Sequence, residues 1–122
     1  MTRPAMGFIY IDVTVRGPNG SRTLRMMVDT GSTFTWVPEG LAQELGARVI
    51  RPISIRVADS RSIERMLGEL EVEIQGRKAT RLVVFGHEGD MALVGADTLE
   101  GLLFEVDPVE GKLRPLSHAL AV

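Results

Sequence analysis

The sequence holds no cysteine. Disulfides and thiolate metal sites are therefore excluded, and a reducing compartment fits. Histidine is also scarce, at two residues in the whole chain, so a metal centre built on imidazoles has little to draw on and no metal is expected. Aromatic residues make up 5% of the chain, with a single Trp, so the core has to be assembled mainly from aliphatic side chains. No charge sign dominates: 14 Lys and Arg stand against 16 Asp and Glu, scattered along the chain, for a formal net charge of -2. That balance argues against nucleic acid or an anionic membrane surface as a partner. No apolar run approaches the roughly 20 residues of a membrane-spanning helix. Met1 to Gly7 carry one basic residue, Arg3, and no following apolar core of signal-peptide type. The expected setting is cytoplasmic.

What is present suits a folded protein. The chain has 122 residues, 44% of them hydrophobic, enough for the core of one domain spanning 1–122 and too few for two. Phe8 to Arg16 alternates, with Ile9, Ile11, Val13 and Val15 on one face and Asp12, Thr14 and Arg16 on the other, the pattern of a half-buried strand. Gly17-Pro18-Asn19-Gly20 is a turn by composition. Ser21 to Val28 returns as the second arm of a hairpin, and Phe34 to Val37 continues extended. Pro38 to Gly46 predicts a short helix, with Pro in the first turn, Leu41, Ala42 and Leu45 on one face, and Gly as the stop.

Ile53 to Ala58 and Ile63 to Ile74 predict a long hairpin with a polar tip at Asp59-Ser60-Arg61-Ser62. On its return arm Leu70, Val72 and Ile74 point inward, while Glu69, Glu71 and Glu73 form a solvated face. Gly76-Arg77-Lys78 turns the chain into a buried strand, Arg81 to Phe85, and Gly86 to Asp90 forms a loop. Asp97 with Glu100 has the spacing of a helix N-cap and an acid three residues on. Leu102 to Asp107 and Lys112 to Arg114 predict two last strands, and Pro115 interrupts any continued ladder. Many short strands and little helix imply a small, closed or folded-over β domain.

The chemistry concentrates in Met26-Met27-Val28-Asp29-Thr30-Gly31-Ser32-Thr33. An apolar strand end runs into an acid, and a Thr-Gly turn follows at once. Gly31 lets another backbone come close, and the run-in holds the Asp29 carboxylate on a partly desolvated floor. Desolvating an acid is costly, which points to a catalyst. A second stretch, Ala92-Leu93-Val94-Gly95-Ala96-Asp97-Thr98-Leu99, lies about one domain away.

Together these stretches resemble the retroviral-type (retropepsin-like) aspartic proteases. The carrying residues are Val28 to Ser32, the hairpin around Asp59, and Leu93 to Asp97, and the resemblance covers about residues 7 to 108. It implies an all-β fold, a small closed barrel of the acid-protease type with one or two short helices, and a homodimer. It implies an aspartic endopeptidase acting on extended polypeptide, without a cofactor. Two carboxylates close together share one proton and titrate as a unit, so one serves as base and the other as acid toward water and the scissile amide, behaviour for which this family is the standard example. The chain has one Asp-Thr-Gly motif, so the pair requires two chains about a twofold axis.

By resemblance Asp29 is catalytic. The Thr30 hydroxyl bonds across the twofold, Gly31 offers its N–H to the carboxylates, and the Ser32 hydroxyl donates to an outer carboxylate oxygen. The hairpin tip, Ala58, Asp59, Ser60 and Arg61, forms a substrate-binding flap. The N-terminal segment and the strands after Leu102 join the dimer interface. Two features depart from the family pattern: the tip lacks glycine, and Ala96 stands where many retroviral members carry Arg. The floor then needs another brace.

Each site residue has a plainer alternative. Asp29, Thr30 and Ser32 can serve as turn residues, Asp59 as a turn residue at the tip, Asp97 as an N-cap, and Val94-Gly95 as core packing. His87, Glu88 and Asp90 read as a solvated loop, and Ser117-His118 lacks a nucleophile-elbow pattern. Phe34 and Trp36 fit a substrate pocket or core and dimer packing equally. The competing function is a catalytically weak or inactive dimeric peptide-binding or assembly module on the same fold. A phosphotransferase acid would want a second nearby Asp and alternating strands and helices, and the chain offers neither.

Overall fold

A computed structural model describes residues 8–119 and 121. The N-terminal segment 1–7, expected at an interface, lies outside the described residues. The alternating first stretch forms β1 (Ile9–Gly17) and pairs with β2 (Gly20–Val28) in unbroken antiparallel register from Ile9 opposite Val28 to Gly17 opposite Gly20. Val13 and Val15 are buried, while Asp12 is exposed and pairs with Arg25 across the strands. The hairpin turn docks on the end of helix α1 (Glu39–Leu45): Asn19 N–H donates to the Leu45 carbonyl at 3.1 Å. A side chain at Gly17 would collide with that same carbonyl, so the glycine permits the close approach.

β3 (Thr35–Pro38) leads directly into α1, which buries Ala42 and Leu45 and stops at Gly46 with φ 78°. Gly46 N–H and Ala47 N–H donate back to Gln43 and Ala42, closing the last turn in a left-handed cap. β4 (Arg48–Arg56) and β5 (Ser62–Ile74) make the long hairpin. β4 starts five residues before the alternation at Ile53, with Pro52 inside it and a register irregularity between Val49 and Arg51. The glutamate face of β5 is half-covered by charge pairs: Glu71 and Glu73 meet Arg16, and Glu69 meets Arg48.

β6 (Arg77–Gly86) begins four residues before the expected strand and pairs along β5 from Ile74 opposite Arg77 to Met66 opposite Phe85. β7 is only Leu93–Val94, and α2 (Ala96–Gly101) follows. The first sheet has the order β1-β2-β7-β3-β6-β5-β4, with β1 also pairing β5 at Thr14 to Arg16. The core between these layers holds Val13, Val15, Met26, Leu70, Val72, Ile74, Val83, Phe85 and Val94, covered by Leu99, Leu102, Phe104 and Leu113. β8 (Phe104–Asp107) and β9 (Lys112–Pro115) form a separate two-stranded sheet. Pro115 is the last residue of β9, and the expected interruption there is not seen: Leu116 N–H just beyond it still donates to the Leu103 carbonyl at 2.8 Å. The protein is mostly β with two short helices among the described residues.

Candidate active site

Asp29 stands immediately past β2, where two neighbouring strands deliver it. β7 runs parallel to β2 with Val28 opposite Val94, and Asp29 N–H donates to the Val94 carbonyl at 2.9 Å. The chain then turns tightly: Ser32 N–H donates to the Asp29 carbonyl at 3.1 Å, and Gly31 N–H donates to Asp29 Oδ1 at 2.9 Å. A Cβ at Gly31 would sit 3.2 Å from that carboxylate oxygen, so the small residue lets amide and acid meet. The Thr30 hydroxyl has no partner among the described residues, and Thr30 and Gly31 are exposed.

The Ser32 side chain differs from expectation. Its hydroxyl donates to the Phe34 carbonyl at 2.8 Å, not to the Asp29 carboxylate. It closes a local turn onto the carbonyl two residues on.

The loop is clamped from behind by the second apolar stretch. Ala96 N–H donates to the Ser32 carbonyl at 2.7 Å, and Asp97 N–H donates to the Thr33 carbonyl at 2.9 Å. A Cβ at Gly95 would collide with the Phe34 carbonyl and lie 2.8 Å from the Ser32 carbonyl oxygen, so only glycine fits. Thr35 Oγ1 and Thr98 Oγ1 share a 2.6 Å hydrogen bond, both fully buried, and Gly95 N–H donates to Thr35 Oγ1 at 3.1 Å. These threonines were not singled out in the sequence; the signal was a hydroxyl residue inside an apolar strand, Thr35 between Phe34 and Trp36.

Asp97 does not cap α2. Gly95 is the cap residue, with no side-chain bond, and Asp97 Oδ2 instead accepts from Arg81 Nη2 at 2.8 Å. The clamp already fills the helix entry with backbone bonds, which frees the acid for the arginine. Arg81–Asp97 and Thr35–Thr98 together brace the floor in a chain that has Ala96 in place of Arg.

A cleft of about 880 Å³ opens in front of Asp29. The active loop and Phe34, Trp36 and Leu93 line one side, and β4 from Arg51 to Arg56 with Val57 and Ala58 lines the other. Of the expected flap residues only Ala58 lines it. Asp59, Ser60 and Arg61 are exposed on the tip, where Asp59 accepts from Arg61 N–H and pairs with its guanidinium, and Ser60 takes φ 72°. A left-handed φ is the position a glycine ordinarily fills.

The hairpin is tied down partway along its arms. Arg65 on β5, opposite Ile53, donates to Asp90 through Nε at 2.7 Å and Nη2 at 3.2 Å. That guanidinium, helped by His87 N–H at 2.7 Å, holds the Asp90 carboxyl below its ordinary value against the opposing effect of burial. Among the described residues no group of three His, Cys, Asp or Glu side chains comes together.

With this geometry in place, the family follows. The aspartyl protease family model matches residues 11–98, from β1 through the Asp29 loop to α2, and the chain belongs to that family. Within it the fold is of the retropepsin-like kind: the chain is similar to the protease of simian foamy virus (mac), solved in solution, with a TM-score of 0.55 and 22% identity over 76% of this chain and 93% of that one. No curated protein matches.

Proposed function

We propose that the protein is an aspartic endopeptidase that hydrolyses extended polypeptide as a homodimer, with one Asp29 from each chain holding the attacking water. The observation that carries this reading is the Asp29–Thr30–Gly31 loop. It is clamped from behind by Val94, Ala96 and Asp97, yet exposed in front with an unpartnered Thr30 hydroxyl. A second copy of the loop across a twofold axis supplies both the missing acid and a partner for that hydroxyl. The surface beside it supports the same arrangement: Phe8 and Tyr10 are 56% and 49% exposed, and a depression lined by Ile9, Met27, Val28, Thr30 and Val106 adjoins the loop. The β1–β5 pairing supports reading the sheet as a small closed barrel. β4 is the terminal strand of the sheet order, so its free edge is available to pair with an extended substrate backbone.

In this reading one proton is shared by two carboxylates. One carboxylate takes a proton from water as it attacks the scissile carbonyl, and the other protonates the leaving amine. Asp29→Asn removes the base from both halves of the dimer and leaves the fold intact. Hydrolysis of an unfolded protein substrate is expected to fall by at least ~10²-fold in that variant, and equal cleavage by both proteins would refute the assignment.

A second reading, a dimeric peptide-binding module without useful turnover, draws on the Ser32 hydroxyl. Because it donates to Phe34, Gly31 N–H is the one donor to the Asp29 side chain among the described residues. A stable dimer that binds peptide and cuts none across the pH range is the expected result in that case.

A further inference from the structure

The register of the sheet sets one arginine into the floor of the cleft. Arg51 lies opposite Leu67, Leu67 opposite Val84, Val84 opposite Trp36, Trp36 opposite Leu93, and Leu93 opposite Met27. Directly opposed residues share a face of a sheet, so this row crosses five neighbouring pairings on one side. Leu67 and Val84 are buried yet stand outside the main core cluster, as a separate face requires. Asp29 is two residues beyond Met27 and continues on that face, and Ile53 and Ile55 follow Arg51 on it at period two. Where this face opens into the cleft it offers Trp36, Leu93, Ile53 and Ile55, with the Asp29 carboxylate at one end and the Arg51 guanidinium at the other.

That guanidinium is unpaired. Every other arginine among the described residues except Arg56 meets a carboxylate or a carbonyl: Arg65 holds Asp90, Arg81 holds Asp97, and Arg77 donates to Leu102 and Leu103. The two exceptions, Arg51 and Arg56, both line the cleft. A chain of net charge -2 therefore sets two free cations against one acid along its cleft.

We propose that the cleft selects polypeptide carrying an acidic side chain beside the scissile bond, with Arg51 as the specificity-determining residue that receives the carboxylate. The inference rests on the protease reading for the word scissile, while the binding preference stands on the geometry alone. Arg51 is exposed beside the half-buried Trp36, Leu93 and Ile53, so a bound peptide whose apolar side chains cover that surface would shield the charge-assisted bond from water. The competing account makes Arg51 a guard that keeps the terminal strand β4 from pairing edge to edge. That account gives no preference for acid over amide.

Trp36 is the only tryptophan in the chain and lines the cleft, so its fluorescence reports occupancy. The experiment titrates the Asp29→Asn protein, which leaves peptide intact, with short apolar peptides blocked at both ends. Each carries one central Glu or its Gln isostere, and one Gln peptide has a free C-terminal carboxylate. The Glu peptide is expected to bind ~5- to 10-fold tighter than the Gln peptide, with the difference shrinking in salt. Adding Arg51→Met should erase the difference, and adding Arg56→Met should keep it. Equal binding of Glu and Gln peptides, a preference that survives Arg51→Met, or tight binding by the free C-terminus alone would overturn the proposal. A Glu preference in a protein whose native form cuts no peptide would uphold it and remove the protease reading instead.

Discussion

Two threonine hydroxyls and one glycine amide decide how firmly Asp29 is held. Thr35 Oγ1 receives the Gly95 N–H and shares a hydrogen bond with Thr98 Oγ1, all without access to water. Replacing Thr35 by Val leaves a buried hydroxyl and a buried amide unpaired, which costs about 1–3 kcal/mol. Thr98→Val removes one partner only and costs less, and the double variant is expected to be less destabilised than the sum of the singles. Thermal unfolding of the four proteins tests this cycle, and strict additivity would show that the pair is not coupled. At this scale the sequence was legible where chemistry and backbone coincide. Asp29 and Gly31 stand as the motif implies, joined by a hydrogen bond from amide to carboxylate. Short polar side chains take whichever acceptor or donor the fold brings nearest: the Ser32 hydroxyl follows its turn alternative onto Phe34 and not the carboxylate, and Asp97 leaves the helix entry for Arg81, a residue distant in sequence.

At the scale of elements, alternation and turn chemistry located the first hairpin, α1 and the return arm of the β4–β5 hairpin. The early start of β4 was hidden because Val49-Ile50 and Pro52 break the period of two, and a register irregularity absorbs the mismatch. The tie between that hairpin and the loop before β7 was equally hidden, since Arg65 and Asp90 meet only in space. It has a measurable consequence with pH. The Asp90 carboxyl is held below its ordinary value chiefly by Arg65, so the unfolded chain binds a proton there more readily than the folded one. The pair therefore contributes stability above the ordinary carboxylate range, near 4, and loses it as pH falls through the lowered value. The melting temperature of the native protein should exceed that of Asp90→Asn near neutrality. The gap should close progressively on acidification below about pH 4. A gap that stays constant or widens in acid would show that the ion pair does not carry the difference. Arg65 is opposite Ile53, which lines the cleft, so acid would loosen the same hairpin that walls the cleft.

For the molecule as a whole, the mostly β character and the family were legible because the motif and its spacing are local, whereas the β1–β5 contact and the transverse row from Arg51 to Met27 depend on register across strands far apart in sequence. The same limit applies to the proposed assembly, which is argued from one acid, an exposed loop and a Thr30 hydroxyl without a partner among the described residues. If the active species contains two loops about a twofold axis, an inactive partner is a poison. Asp29→Asn retains every backbone bond of the clamp and should pair with the native chain as readily as native pairs with itself. In an equal mixture allowed to exchange, only the fraction of dimers with two acids works, so activity should fall to roughly a quarter of that of the same total protein in native form. A monomeric enzyme, or one whose active centres act singly, would keep half. Serial dilution supplies the second arm: specific activity should decline as the dimer dissociates and recover on reconcentration, with sedimentation reporting the change in mass over the same range. An activity linear in the native fraction and independent of dilution would place the whole chemistry within one chain, which has a single Asp-Thr-Gly motif to perform it.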